Sequence, residues 1–286
     1  MISDAFDSSL LQQWVGKTET AQARVAAHAA DALAATLDLP TTFAPGAALP
    51  PLWHWMYFWA VAPQAELGPD GHPRRGGFLP PVPLPRRMWA GGRLTFNAPL
   101  AVEADAVRTS TILSVNAKRG ASGNLAFVTV GHEIGHGGQV CITEEHDIVY
   151  RETPQAGATR PPPKPAPPDA AWSRIITPDP VLLFRYSALT FNGHRIHYDR
   201  DYVTKVEGYP GLIVHGPLIA TLLADLLRRN LPDAVMRSFN FRAVGSLFDT
   251  EPFTLCGRPD ADGRNVTLWA QNQRGELAMQ AEVVLA

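Results

Sequence analysis

The chain has 286 residues, 45% of them hydrophobic and 18% charged, with 25 Lys+Arg against 27 Asp+Glu. The apolar share excludes global disorder, and a near-neutral charge lacks the wide basic field that holds nucleic acid. Two cysteines, Cys141 and Cys256, cannot make a disulfide framework, no apolar stretch is long enough to cross a bilayer, and the acidic N-terminus lacks a leader pattern, so a soluble cytoplasmic protein is expected.

In chain order, the Ala-rich stretch Thr20–Leu37 predicts a helix with Val25, Ala29, Leu33 and Leu37 on one side. The aromatic run Trp53-His-Trp-Met-Tyr-Phe-Trp59 could line an acyl pocket, but such a stripe more often belongs to the core or a domain interface. Strands are expected at Arg93–Asn97, Val107–Val115, Leu125–Gly131 and Gln139–Tyr150, with a Gly-containing turn at Lys118–Gly123. Within them, His132-Glu133-Ile134-Gly135-His136 has the spacing of a zinc-binding helix. Four glycines lie close around it, and each mid-helix Gly costs about 1 kcal/mol relative to Ala, so a strand with its following turn is expected and no metal.

Thr153–Ala170 holds seven prolines and reads as a stiff linker between two halves, residues 1–152 and 171–286. Beyond it, Val181–Thr190 is rich in β-branched and aromatic residues and predicts a strand, followed by a polar loop over Phe191–Asp199. Tyr209-Pro-Gly marks a turn. Pro217–Asn230 predicts a buried helix, with Gly216 as N-cap, Pro217 in its first position and Arg228-Arg229 in its last turn. Strands follow at Met236–Ala243, Pro252–Arg258, Asn265–Gln271 and Ala278–Leu285. Both halves therefore fit an α+β unit in which an antiparallel sheet wraps a central helix.

The chemistry gathers in Phe191-Asn-Gly-His-Arg-Ile-His-Tyr-Asp199 and in His215-Gly216-Pro217. Histidine gives and takes protons near neutral pH, and a Gly at the head of a helix offers open N–H groups at the positive end of the dipole. A base beside such an oxyanion site suits enolate chemistry on a thioester. The bland alternative makes the histidines ordinary loop residues and Gly216 a plain cap.

This run resembles the hydratase 2 motif of the MaoC-like dehydratases, a hot-dog family acting on acyl thioesters. Asn192 stands where that family has its catalytic Asp, His194 replaces an Asn and Arg195 a Pro. With these changes, the run Ser187–Asp199 is similar to a subgroup holding the type 2 hydroxyacyl-thioester dehydratases and the 3-methylfumaryl-CoA (mesaconyl-C4-CoA) hydratases. Arg86-Arg-Met-Trp-Ala-Gly-Gly, Lys118-Arg-Gly-Ala-Ser-Gly and Glu144-Glu-His-Asp-Ile-Val-Tyr resemble its N-terminal domain.

The resemblance implies a double hot dog, non-catalytic over 1–152 and catalytic over 171–286. It implies reversible hydration of a 2-enoyl-CoA, most readily 3-methylfumaryl-CoA, with CoA as part of the substrate and no other cofactor. His197 would be the base and Gly216 the oxyanion donor. Asn192 would orient the water or thioester, and His194 or Asp199 would be the second titrating group. Arg195 would hold a substrate carboxylate or else pair with Asp199 or Asp201. His215 would line the site, and Arg86, Arg87 and Arg93 would meet the CoA phosphates. Alternatives are a 3-hydroxyacyl-thioester dehydratase of fatty-acid synthesis, an itaconyl-CoA hydratase, or a silent acyl-CoA-binding protein. Quaternary state stays open, with a homodimer the simplest assembly.

Overall fold

The computed structural model describes residues 8–120, 123–152 and 162–286. Its ten strands are β1 (Thr18–Arg24), β2 (Arg86–Phe96), β3 (Asp105–Gly120), β4 (Gly123–His136), β5 (Gln139–Arg151), β6 (Trp172–Ile176), β7 (Met236–Ala243), β8 (Phe253–Pro259), β9 (Asn265–Gln271) and β10 (Leu277–Leu285). They form one sheet in the order β1-β3-β4-β5-β2-β7-β10-β9-β8-β6, every recorded pairing antiparallel. The first five in that order come from the N-terminal half and the last five from the C-terminal half, so the two units share one continuous sheet.

The seam is β2 against β7, with Gly92 opposite Phe241. A Cβ on Gly91 would stand 2.5 Å from the Phe241 carbonyl oxygen, and one on Gly92 would stand 2.9 Å from that of Glu145. Only glycine lets the strands approach this closely.

Among the described residues, four α-helices accompany the sheet: α1 (Ser8–Gln12), α2 (Ala27–Thr36), α3 (Pro180–Leu189) and α4 (Gly216–Asn230). α4 is the long central helix of the C-terminal unit and packs on β6, β8, β9 and β10. Leu218, Leu223 and Leu227 on it are fully buried, and each such side chain contributes about 1.5–3 kcal/mol by leaving water. Its one buried charge, Asp225, is met by Arg174 at 2.8 Å and Arg229 at 2.7 Å. The helix begins one residue earlier than its sequence suggests: His215 is the N-cap, and Gly216 lies in the first turn.

Two other expectations are corrected. Thr20–Arg24 is not the start of a helix but part of β1, an edge strand paired with β3 from Thr18 opposite Thr111 to Arg24 opposite Asp105. Here strand pairing overrides the helix propensity of alanine. Val181–Thr190 is not a strand but most of α3. Its start was signalled by Asp179-Pro180: the Asp179 carboxylate accepts from the Leu182 amide at 2.9 Å, with Pro180 in the first turn.

β2 to β5 and β7 to β10 fall where strands were expected, β2 to β4 running longer at their ends, whereas β6, which pairs with β8, was not expected. Of the Lys118–Gly123 turn, residues 121–122 lie outside the described residues, as do 153–161 of the proline stretch. The rest of that stretch lies along the C-terminal unit, with the Leu277 amide donating to Lys164 and Ala166 to Gly275. Trp53, Met56 and Phe58 of the aromatic run are buried in the main core.

Candidate active site

α3 delivers the candidate loop, Phe191–Asp199. It ends in a Schellman turn: the Asn192 amide donates to Ser187 at 2.8 Å and the Phe191 amide to Ala188 at 3.3 Å. This puts Phe191 in the left-handed region at φ 51°, where a non-glycine residue costs about 1–2 kcal/mol. Its ring stacks on Trp59 at 5.0 Å, which offsets part of that strain. The chain then turns back through a short 3-10 turn over Arg195–His197.

His197 is 7% exposed and its Nδ1–H donates to the Ile213 carbonyl at 2.7 Å. That bond fixes the tautomer and leaves the Nε2 lone pair free. Burial pushes its pKa down to about 4, the Ile213 bond opposing and His72 assisting. The ring is therefore neutral at pH 7, as a base must be. It stacks on His215 at 3.7 Å and 19°. Since His215 caps α4, His197 stands at the head of that helix, beside Gly216, whose amide has no intrahelical acceptor. His215 is fully buried, its Nε2 hydrogen-bonded to the Ser187 hydroxyl at 2.8 Å. That packs it between the His197 ring and α3, with its Nε2 taken up by Ser187.

The other named residues are placed as follows. Asn192 uses its side-chain oxygen to accept from the His194 amide at 3.0 Å, shaping the loop. Asp199 accepts from Arg195 Nε at 3.0 Å and Nη2 at 2.8 Å, and from the Tyr202 amide at 2.9 Å. The amide and the guanidinium together hold its carboxyl below the usual range. It is thus a loop anchor and not a free acid. Arg195 also lies 4.1 Å over the Tyr202 ring, and of the two partners expected for it the structure shows the internal one, Asp199. Arg93 is forked onto Glu145 and Asp147, exposed on the sheet. Arg86 pairs with Glu207 at 3.3 Å.

His132 and His136 lie on β4, extended and not one helical turn apart. His132 is hydrogen-bonded to Ser110 at 2.9 Å.

Two site residues come from the N-terminal half and escaped sequence reasoning. His72 Nδ1–H donates to Asp70 at 3.1 Å, and its ring sits 4.1 Å from His194, itself 5.5 Å from His197. The loop carrying them docks through Arg195, whose amide donates to the Asp70 carbonyl at 2.9 Å and whose Nη1 donates to Pro69 at 3.0 Å. Burial lowers His194 to about 2 and also lowers His72, which Asp70 partly opposes. Burial alone would raise Asp70, but the bonds from His72 hold it well below the carboxylate range. The donor atoms of Asp70, His72 and His194 lie within 4.8 Å of one another, the one set among the described residues that could hold a metal ion. The only hint in the sequence was a Pro-Asp-Gly turn, which carries no catalytic signal.

Gly71 makes that docking possible. Its φ is +90°, and a Cβ there would run into the Gly193 carbonyl. Gly71→Ala should displace His72 from His194 and lower kcat/KM by about 10- to 100-fold. Gly46 has a similar φ of +83° with open space around it, so Gly46→Ala should cost about 1 kcal/mol of stability and little activity. Steady-state hydration rates and thermal melts of both variants check this; equal activity in the two would contradict it.

A second buried polar centre lies across the seam. Glu144 accepts from His54 at 2.9 Å and Trp55 at 2.8 Å, and also meets His146. Trp55 and His146 both pack edge-on against Trp89, and Trp89 lies against Gly216. The network thus fixes a ring at the head of α4.

Fold and site together define a double hot-dog protein of the hydratase–dehydratase class. The family model for hydroxyacyl-thioester dehydratase type 2 matches residues 52–249, and the chain belongs to that family. It is 50% identical over 275 residues to the mesaconyl-C(4)-CoA hydratase of Chloroflexus aurantiacus, covering 95% of this chain and 96% of that protein. It is 30% identical over 233 residues to the mitochondrial hydroxyacyl-thioester dehydratase type 2 of Schizosaccharomyces pombe, covering 73% and 77%. The fold is shared with a MaoC-like dehydratase from Phytophthora capsici (TM-score 0.69, 14% identity, 98% and 99% covered). It is shared too with a Mycobacterium tuberculosis protein described as a double hot dog (TM-score 0.54, 13% identity, 95% and 96% covered).

Proposed function

We propose that the protein reversibly hydrates a 2-enoyl-CoA thioester, with 3-methylfumaryl-CoA (mesaconyl-C4-CoA) as substrate. The observation that carries the proposal is a buried, neutral His197 with Nε2 free, set at the amide end of α4. The thioester carbonyl accepts the Gly216 N–H, where the helix dipole favours growing negative charge. Nε2 takes a proton from water, and the water oxygen bonds to the β-carbon. The C=C electron pair moves toward the α-carbon and thioester oxygen as an enolate. The imidazolium then returns its proton to the α-carbon, so the histidine ends as it began. Asn192 cannot titrate, and this route lets one imidazole serve both steps.

No cofactor is needed for this chemistry beyond the CoA of the substrate. The likeness in sequence to the Chloroflexus hydratase supports the choice of substrate. Two unpaired thiols, Cys141 and Cys256, support a reducing, cytoplasmic setting.

The likeness to the S. pombe dehydratase favours a second reading, a 3-hydroxyacyl-thioester dehydratase of fatty-acid synthesis. Loss of the enoyl-thioester absorbance over a panel of 3-methylfumaryl-, itaconyl- and crotonyl-CoA and a crotonyl carrier-protein thioester tests both. The expected result is a kcat/KM for 3-methylfumaryl-CoA at least ten times any other. A preference for the carrier-protein thioester would replace the first reading with the second, and no turnover of any member would leave only a binding protein.

A further inference from the structure

The substrate proposed above has a carboxylate attached directly to the β-carbon that water attacks, so a cation is required close to His197. The arginines that the loop motif and the N-terminal motif suggest for anion binding are mostly engaged. Arg195 is paired with Asp199, Arg86 with Glu207, and Arg93 with Glu145 and Asp147. Arg75 donates to the carbonyls of Val82 at 2.8 Å and Pro85 at 2.6 Å. Arg87 stands apart: among the described residues no carboxylate lies within ion-pair distance of it, it is only half-buried, and the group its guanidinium approaches is a neutral one, the hydroxyl of Tyr150 opposite it on β5.

Its position on β2 is favourable. Arg87 and Trp89 are two residues apart on the strand, so their side chains leave the same face about 7 Å apart. The register shift of β2 against β5 falls between Trp89 and Gly91 and does not disturb that alternation. Trp89 lies against Gly216 at the head of α4, 3.7 Å from where a Cβ on that glycine would be. Arg87 is therefore on the face that looks into the site, one side-chain step from the oxyanion position. Its charge also reaches the rings of His72 and His194, adding to the burial that lowers them both.

We propose that Arg87 is the residue that reads the acyl carboxylate, with the Asp70-oriented His72 and His194 forming the polar wall beside it. This deepens the functional reading and rests on it. With the thioester held at Gly216 and the β-carbon over His197, the carboxylate is directed toward the Arg87 guanidinium. Asp70 is the one acid in that wall, and its oxygens are turned to the ring and backbone N–H of His72. A guanidinium matches a carboxylate with two parallel hydrogen bonds, a geometry lysine cannot supply.

The test is the ratio of kcat/KM for 3-methylfumaryl-CoA over crotonyl-CoA, which lacks the carboxylate, in wild type, Arg87→Gln and Arg87→Lys. Arg87→Gln should lower the ratio roughly 30-fold, the worth of a charge-assisted pair, and Arg87→Lys should lie between. A ratio unchanged in both variants overturns the subsite, including the case where both substrates suffer equally, as they would if Arg87 met a CoA phosphate. Thermal melts identify a variant that has lost its fold, and the lysine variant then decides. Wild-type protein that favours crotonyl-CoA overturns the subsite but leaves hydration standing. Failure to hydrate any enoyl-CoA overturns the functional reading instead.

Discussion

His197→Ala is expected to lower kcat for hydration by about 10²- to 10⁴-fold, the usual worth of a positioned general base. KM should change little, because the thioester is held by Gly216 and the CoA portion and not by the imidazole. The pH profile carries independent information. With its pKa pushed down to about 4 by burial, His197 stays an unprotonated base through neutrality. The acid limb of kcat/KM in wild type should therefore lie near pH 4–5, well below the midpoint of 6.5 expected for an exposed histidine. Stopped-flow assays from short exposures to acid measure it before unfolding intervenes. An acid limb near 6.5, or an Ala variant with near-normal turnover, would remove His197 from the chemistry.

The second large effect concerns stability. His72, His132, His194, His197 and His215 all have pKa values lowered first by burial, His132 to about 3. Unfolded, each would titrate near 6.5. Below that pH the unfolded chain binds protons that the native chain refuses, so folding stability falls as pH falls. The contribution is fully present above pH 6.5 and is lost progressively down to the native values. Each group accounts for about 1.4 kcal/mol per pH unit in that window. Asp70 and Glu144, both held low in the native state, extend the loss below pH 4. The melting temperature should drop by at least about 10 °C between pH 7.5 and 5.5. His194→Gln should flatten that slope by about one fifth. A melting temperature constant over this range would mean that the histidines are not buried neutral as the structure has them.

How much of this was legible beforehand depends on the range of the interactions involved. α4 could be read because ten of its residues are buried and its leucines recur at helical spacing, from Leu218 to Leu227. β7 to β10 could be read because hairpin turns such as Asp262-Gly263 lie next to them in the chain, whereas β6 was not, its partner β8 lying beyond α3 and α4. Val181–Thr190 was misread because β-branched and aromatic side chains outweighed the Asp179-Pro180 start signal. Thr20–Arg24 was misread because its partner, β3, is far away in sequence.

The same division runs through the site. His197 and Gly216 were visible as local motifs, each with its chemistry in its immediate neighbours. The sequence by itself determined the fold class and the two segments that face each other across the head of α4, because periodicity and turn chemistry are local. Only the tertiary structure could decide that His215 packs between His197 and α3, that Asp199 is tied to Arg195, and that Asp70 and His72 arrive from the other half. Those facts follow from the packing of glycines at 71 and 193 and from which charges find partners when the chain closes, and no local pattern encodes either.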